Sequence, residues 1–196
     1  MGFEDNKATT FCGGRGKGKT DFLKEIAKNN PLPKTLIVDT FDNERWRTME
    51  TWNHPEWAKE NVPIIKPEHI KYWKKGIYRV FDSDLEKIKN TIANDLLNCL
   101  LIWEDASKYY GKSLSKDELR IHYDTKQRNI NSIYVFHSLR KATVEIVENS
   151  DLLTLKKTGD NINTIDRKYQ NPDINALFTE VSKHPDKYCT ETIFIN

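Results

Sequence analysis

A glycine-rich stretch near the N-terminus contains residues suited to binding an anion. It comprises Gly13, Gly14, Arg15, Gly16, Lys17, Gly18, Lys19 and Thr20. The stretch matches the pattern G-x-x-x-x-G-K-[ST], in which glycines permit a curled backbone whose N–H groups point inward. In such loops the lysine, here Lys19, reaches the β- and γ-phosphates, and the hydroxyl, here Thr20, ligates Mg²⁺. The stretch therefore predicts a phosphate-binding loop (P-loop) for ATP and Mg²⁺.

Two adjacent acids follow the most apolar run of the chain. Glu104 and Asp105 come directly after the residues Leu-Leu-Ile-Trp. Ligands of α/β proteins bind beyond the carboxyl ends of parallel strands, so we expect both acids to lie beside the P-loop. One carboxylate would hold Mg²⁺, directly or through water, and the other would polarise the attacking water. Adjacent side chains on a strand diverge, so the two acids require different roles.

The elements that must position these groups alternate between strand and helix patterns. Short apolar or β-branched runs predict strands at 7–13, 34–40, 76–82, 99–106, 132–138, 151–158 and 190–196. Helical spacing predicts helices at 19–30, 83–98, from about 115 onward, and at 141–150, 163–169 and 172–183. Ser83 is the expected N-cap of the second helix, with Glu86 completing a capping box. The alternation predicts one α/β domain over 1–196, with a mostly parallel central sheet and helices on both faces.

Residues 43–76 interrupt this pattern and contain four of the five tryptophans. The segment predicts an irregular insertion with short helices. Near its end Lys71, Trp73, Lys74 and Lys75 mix cations with an aromatic ring, which suits phosphate contact and base stacking on DNA. Residues 112–116 and 125–128 are further basic stretches. An ordinary solvated surface is the alternative interpretation of each of these patches.

Composition restricts the classes of function that remain. A net charge of +2 excludes a globally basic nucleic-acid-binding protein, so any DNA contact requires a local patch. No apolar run approaches the roughly 18 residues of a membrane span, and the first ten residues lack the apolar centre of a signal peptide. Cys12, Cys99 and Cys189 are too far apart for a zinc site. We therefore expect an intracellular protein with no transmembrane segment and with reduced, buried thiols.

The order of these motifs resembles a known family. A P-loop, a strand ending at Asp39, an apolar strand with paired acids, and the stretches RNINSIYVFHSLR and NSDLLTLKKTGD resemble the HerA/FtsK superfamily of DNA-pumping ATPases. The likeness is strongest to the genome-packaging ATPases of membrane-containing, double-jelly-roll viruses. The chain is also similar to the ATPase domain of filamentous-phage assembly proteins of the zonula-occludens-toxin type. The resemblance covers most of the chain apart from the insertion.

The resemblance implies a RecA-like P-loop NTPase fold and Mg²⁺-dependent ATP hydrolysis that moves DNA without sequence specificity. It leaves open whether that DNA is single- or double-stranded. It also implies a homo-oligomeric ring, a hexamer or a pentamer, and a capsid or membrane-vertex protein as partner. The expected location is the cytoplasm of an infected host cell or the virion. The alternatives are a filamentous-phage extrusion ATPase, a small-molecule P-loop kinase, for which no clear lid is found, and a nucleotide-dependent binding module that does not hydrolyse.

Individual residues take roles from this resemblance by position. The family's paired acids read Asp-Glu, the first for metal and the second for water, so Glu104 inherits the metal role with Thr20, and Asp105 the base role. Because the order here is Glu-Asp, slow hydrolysis and exchanged roles remain alternatives. Arg128 matches an arginine that reaches the neighbouring subunit's γ-phosphate, although an exposed arginine at a helix end is the alternative. The family's polar sensor falls on His137, Ser138 or Arg140, and its usual glutamine is missing. A buried, hydrogen-bonded structural histidine is the alternative for His137.

Overall fold

The computed structural model describes residues 7–39, 41–111, 113–124 and 127–195, and the backbone only of Asp117. Its strands are β1 (Ala8–Cys12), β2 (Lys34–Val38), β3 (Ile64–Ile65), β4 (Gly76–Val80), β5 (Cys99–Trp103), β6 (Ile130–Phe136), β7 (Leu152–Lys156) and β8 (Thr190–Phe194). Its helices are α1 (Lys19–Lys28), α2 (Leu85–Asp95), α3 (Lys116–Tyr123), α4 (Val144–Glu148), α5 (Ile162–Tyr169) and α6 (Pro172–Lys183). Short 3₁₀ helices lie at Glu44–Trp46, Pro55–Lys59, Pro67–Tyr72, Ala106–Lys108 and Leu139–Lys141.

All described strands join one sheet in the order β3-β4-β2-β5-β6-β1-β7-β8. Every neighbouring pair is parallel except β7 with β8. The predicted α/β fold with a mostly parallel sheet is therefore confirmed. Within the described ranges, no helix is both long and apolar enough to cross a bilayer. Lys112, Thr125 and Lys126, from the two further basic stretches, lie outside the described residues.

The apolar side chains of the central strands form two layers, one on each face of the sheet. Strands β1, β2, β5, β6 and β7 are buried along their whole length. Alternation along β2 directs Leu36 and Val38 to one layer and Ile37 to the other. The helices α2, α5 and α6 cover the first layer, whereas α1 and Trp46 of the insertion cover the second. Burial on both faces explains why these strands read as continuous apolar runs.

The helices lie where the sequence patterns place them, but α2 covers Leu85–Asp95 instead of 83–98, and α4 begins at Val144 instead of residue 141. The predicted cap at Ser83 is wrong, because Asp84 caps this helix and its Oδ1 accepts from the Lys87 N–H at 3.0 Å. An ionised carboxylate is the stronger acceptor at the positive end of a helix. Glu86 instead lies 3.1 Å from the Lys89 ammonium. A capping box does form at the start of α3, between Ser115 and Glu118.

The segment 43–76 contains short 3₁₀ helices, and it also contributes a strand to the sheet. Its strand β3 pairs with β4 at the sheet edge. Trp46 is fully buried, whereas Trp52 is 83% exposed. The three cysteines are buried and free, as expected for reduced thiols. One part of the insertion thus packs as core while another part faces solvent.

Candidate functional site

The carboxyl ends of four neighbouring strands converge on one cleft. The P-loop follows β1, Asp39 follows β2, the paired acids follow β5, and His137 follows β6. The cleft has a volume of about 530 Å³ and is lined by Arg15, Gly16, Lys17, Gly18, Lys19, Thr20, Asp39, Phe41, Asp42, Asn43, Glu44, Arg45, Glu104, Asp105, Lys108 and His137. The predicted P-loop lysine, the paired acids and His137 therefore share one site.

The P-loop is fixed between the ends of β6 and β7. The Gly13 N–H donates to the Phe136 carbonyl at 3.0 Å, and the Gly14 N–H donates to the Lys157 carbonyl at 2.8 Å. A Cβ on Gly13 would lie 2.9 Å from Cβ of Lys156, so no side chain fits there. Gly16 and Gly18 adopt left-handed φ angles of 67° and 71°. The loop leads into α1, whose first N–H groups have no partner inside the helix and suit an anion.

Lys19 is buried, with 6% of its surface exposed. Its Nζ donates to the carbonyls of Gly13 at 2.6 Å and Gly14 at 3.0 Å, and it lies 3.0 Å from Nδ1 of His137. Burial lowers the pKa of Lys19, and the nearby Glu104 carboxylate opposes that change. An ammonium group can only donate hydrogen bonds, so Nδ1 of His137 must accept the hydrogen bond from Lys19. The proton of the neutral ring is therefore assigned to Nε2.

His137 joins the P-loop lysine to one of the acids. Its Nε2 lies 3.8 Å from Oδ2 of Asp105, on the other side of the ring from Lys19. Burial lowers the pKa of His137, and the positive charge of Lys19 lowers it further. The neutral ring at pH 7 is therefore the form that fits this position. Of the three predicted sensor residues, His137, Ser138 and Arg140, only His137 lines the cleft.

Glu104 lines the cleft but is almost completely shielded from solvent. Burial raises its pKa to about 7, while Lys19 and the neighbouring Trp46 indole lower it. Neither Oε2 of Glu104 nor the buried indole nitrogen of Trp46 has a hydrogen bond of standard geometry. An unpartnered carboxylate oxygen beside the P-loop suits a cation, and Thr20 lines the same cleft. Mg²⁺ binds through one or two protein oxygens plus substrate phosphates and water, so these residues fit it.

Asp105 is held by its own neighbours in the chain. Its Oδ2 lies 2.8 Å from Nζ of Lys108, and the Ser107 hydroxyl donates to its Oδ1 at 2.6 Å. Burial favours a higher pKa for Asp105, but the contacts with Lys108 and Ser107 outweigh it and keep the pKa below its ordinary value. The backbone of Asp105 is left-handed, with φ of 55°. This turn ends the strand at Trp103, three residues earlier than predicted, and directs the acid out of the sheet.

Residues that were not assigned to the site from the sequence complete the cleft wall. Asp39 accepts from the N–H groups of Phe41 at 3.3 Å and Asn43 at 2.9 Å, which bends the chain over the cleft. Arg45 donates to both carboxylate oxygens of Asp21 in α1, at 2.9 and 2.8 Å. The start of the insertion is thereby fastened to the helix that follows the P-loop.

A cation of the cleft was also missed. Nζ of Lys108 lies 3.5 Å from the centre of the Phe41 ring as well as beside Asp105. The available sequence signal was its spacing, because a lysine three residues after an acid faces that acid on a helical turn.

Two predicted residues after β6 lie outside the cleft lining. The Ser138 hydroxyl donates to Oδ1 of Asp160 at 2.6 Å. Arg140 lines a second cavity of about 580 Å³, together with Ser107, Tyr110, Gly111, Lys141, Ala142, Thr143, Val144 and Lys168. His137 and Ser138 are adjacent, so their side chains point in different directions from the strand end.

The predicted arginine finger and the predicted DNA patch lie at the amino ends of the strands, opposite the cleft. Arg128 precedes β6, and its Nη1 lies 3.5 Å from the Ile92 carbonyl. The seven-residue strand separates it from the P-loop of its own chain by about 20 Å. Lys71, Lys74 and Lys75 are exposed just before β4. Trp73 is half-buried, donates to the Lys75 carbonyl at 2.6 Å and packs edge-on against Tyr78.

Comparisons with known proteins agree on the fold. No family model and no curated protein sequence matches the chain. The genome packaging NTPase B204 from Sulfolobus turreted icosahedral virus 2 in complex with AMP is 13% identical, with a TM-score of 0.70 over 100% of this chain and 94% of that chain. Its complex with ATP-gammaS is 15% identical, with a TM-score of 0.68 over 97% and 92%. B204, the DNA-packaging ATPase from Sulfolobus turreted icosahedral virus, is 14% identical, with a TM-score of 0.68 over 97% and 93%.

At these identities the likeness shows the fold alone. The resemblance to genome-packaging ATPases is confirmed at that level, and the chain has the α/β fold of a P-loop NTPase.

Proposed function

We propose that this protein is an ATPase that translocates DNA and packages a viral genome into a capsid. The observation that carries the proposal is the convergence of the P-loop, Glu104, Asp105 and His137 on one cleft. This set of groups provides phosphate binding, a metal ligand, a water-polarising carboxylate and a contact between them. The likeness in fold to NTPases described as genome packaging supports the biological direction.

The P-loop and Lys19 would bind the triphosphate. Inward-pointing N–H groups and the positive end of α1 attract the phosphates. The Lys19 ammonium would exchange its bonds with the Gly13 and Gly14 carbonyls for the β- and γ-phosphate oxygens. Thr20 and Glu104 would hold Mg²⁺, which neutralises charge on the phosphates when bound.

The remaining groups would act on the attacking water and report on the phosphates. Asp105 stays ionised at neutral pH and would orient and polarise the water. Its contact with Lys108 holds the carboxylate in place in the absence of nucleotide. His137 accepts from Lys19, so movement of Lys19 onto the phosphates would remove that bond. We assign His137 the sensor role, because it lies between the P-loop and the acid.

A ring of subunits would complete the site. Arg128 lies too far from the P-loop of its own chain, so a catalytic role requires that it act on a neighbouring subunit. A guanidinium suits this role because it is always charged and donates in a fixed fork. Assembly as a pentamer or hexamer would also bring several copies of Lys71, Lys74 and Lys75 around one DNA path. A capsid or membrane-vertex protein is the proposed partner of this ring.

Displacement of a blocking group from DNA tests translocation directly. With ATP and Mg²⁺, the wild-type protein should displace a third strand from triplex DNA, or streptavidin from biotinylated single-stranded DNA. The Lys19→Ala variant should displace neither. Trials on both kinds of DNA also determine which one is the substrate. Robust ATP hydrolysis without displacement from either substrate would overturn the translocase proposal while leaving the ATPase assignment intact.

A further inference from the structure

An exposed tyrosine lies beside the P-loop on the side away from the acids. Tyr188 is 45% exposed, and a Cβ placed on Gly18 would lie 3.8 Å from its ring atom Cδ1. Because β8 runs antiparallel to β7, its first residues lie beside the carboxyl end of β7, where Thr190 pairs with Lys156. The P-loop lies at the same end of the parallel strands. We propose that Tyr188 is the platform on which the base of the bound nucleotide stacks. This inference rests on the proposed function.

The positions of the acids determine the direction in which the nucleotide extends. The acids follow β5 and His137 follows β6, both on one side of β1, whereas β7 and β8 lie on the other side. A γ-phosphate close to Glu104 and a β-phosphate in the P-loop direct the sugar and base away from β5. That path leads over Gly18 and the start of α1, toward Tyr188. The buried, unpartnered Oε2 of Glu104 is an independent indication of a ligand in this cleft.

The backbone around Tyr188 is fixed while its ring stays accessible. The Tyr188 N–H donates to Oδ1 of Asp186 at 2.8 Å, and its carbonyl accepts from Nζ of Lys156 at 3.0 Å. The ammonium of Lys187 lies 4.8 Å from the ring centre. A rigid backbone reduces the entropy lost when a base stacks on the ring. Stacking tolerates different bases, so the site should accept nucleoside triphosphates that differ in their base.

Another tyrosine of the chain provides a matched control. Tyr72 is 70% exposed, and the ammonium of the preceding Lys71 also lies 4.8 Å from its ring centre. It differs in position, because it precedes the amino end of β4, whereas the P-loop follows the carboxyl end of β1. Loss of the Tyr72 ring should therefore leave nucleotide affinity unchanged.

Calorimetric titration with a non-hydrolysable ATP analogue and with inorganic tripolyphosphate separates base contacts from phosphate contacts. Tyr188→Ala should weaken binding of the analogue about 5- to 100-fold, the range expected for loss of one stacked base. Its affinity for tripolyphosphate should not change. Tyr188→Phe and Tyr72→Ala should match the wild type with both ligands.

The outcomes distinguish this inference from the function on which it rests. Equal affinity of Tyr188→Ala and wild type for the ATP analogue would overturn the base platform alone, provided that Lys19→Ala still loses binding. An equal loss of tripolyphosphate affinity in Tyr188→Ala would also overturn it, because the defect would then concern the phosphates. Failure of the wild type to bind the analogue would overturn both the platform and the proposed function.

Discussion

Nζ of Lys19 lies 3.0 Å from Nδ1 of His137, so one hydrogen bond connects the P-loop to the end of β6. The ring also approaches Asp105, at 3.8 Å from Nε2 to Oδ2. A change in the position of Lys19 would therefore alter the hydrogen bonding of His137 at the end of β6. Through the same ring it would also alter the surroundings of Asp105, which follows β5.

The first prediction concerns this connection. His137→Phe removes the acceptor and should lower turnover about 10- to 100-fold, the range for a hydrogen bond to a charged group, with ATP affinity changed less than about threefold. His137→Gln supplies an amide oxygen as acceptor and should keep most of the turnover. Steady-state rates and equilibrium binding measure the two quantities. Equal rates in the phenylalanine variant and the wild type would exclude a sensor role for His137.

The second prediction separates the roles of the two acids. Asp105→Asn should bind ATP and Mg²⁺ normally and lose turnover by about 10²- to 10⁴-fold, because the water is no longer polarised. Glu104→Gln should in addition raise the Mg²⁺ concentration needed for half-maximal nucleotide binding. Titration of Mg²⁺ and measurement of phosphate release distinguish the variants. The reverse pattern would show that the acids have exchanged roles along with their order.

The third prediction uses the buried carboxyl of Glu104. Burial raises its pKa from 4.5 to about 7, so the folded state binds the proton more tightly than the unfolded state. The charged form is therefore costly, and stability is lost as pH rises between these two values. Glu104→Gln stays neutral at every pH. Without nucleotide, its free energy of unfolding relative to wild type should therefore be higher at pH 8 than at pH 5, by up to about 3 kcal/mol.

Urea unfolding at pH 5 and pH 8 measures this gain. The control is Glu44→Gln, because Glu44 lines the same cleft but its side chain is 86% exposed. The change in stability difference between the two pH values should be larger for Glu104→Gln than for this exposed control. A pH-independent difference for Glu104→Gln would contradict the burial argument.

The parts of the site that could be predicted are those that local sequence determines. The P-loop pattern and the apolar run before Glu104 each lie within a few residues, so their strand and loop context could be inferred from spacing. The bend at Asp39, the contact of Arg45 with Asp21 and the position of Phe41 depend on long-range packing. The spacing of apolar residues along the sequence carries no information on such contacts.

The sequence also does not show which of two adjacent residues with similar chemistry takes a given role. Ser83 and Asp84 can both cap a helix, and only the position of the first turn determines that Asp84 does so. His137 and Ser138 can both serve as a polar sensor. The side on which the strand end directs each one was not evident from residue type.

The fourth prediction concerns Arg128. If it acts on a neighbouring subunit, specific activity should rise with protein concentration, and an isolated monomer should hydrolyse ATP slowly. Arg128→Ala should bind ATP normally yet lose about 10³-fold or more in turnover, as expected for an arginine finger. Activity independent of concentration in a demonstrated monomer would reject the role in trans.

Mixing of two inactive variants sharpens this test. A ring that contains both Arg128→Ala and Asp105→Asn subunits has some interfaces with an intact Asp105 facing an intact Arg128. Partial recovery of activity would support a site shared between subunits. Mass measurement must show that mixed oligomers form, and absence of recovery in such oligomers would count against the shared site.

Multiple-turnover phosphate release, with and without DNA, tests the central claim most directly. We predict Mg²⁺-dependent release of many phosphates per subunit, stimulated by DNA regardless of its sequence. Lys19→Ala should lower the rate about 10²-fold or more, because it removes the charge that is proposed to contact the transferred phosphate. The exposed Lys183→Ala serves as a charge-matched control and should keep the wild-type rate. Tight ATP binding without multiple turnovers, in the presence or absence of DNA, would contradict the account.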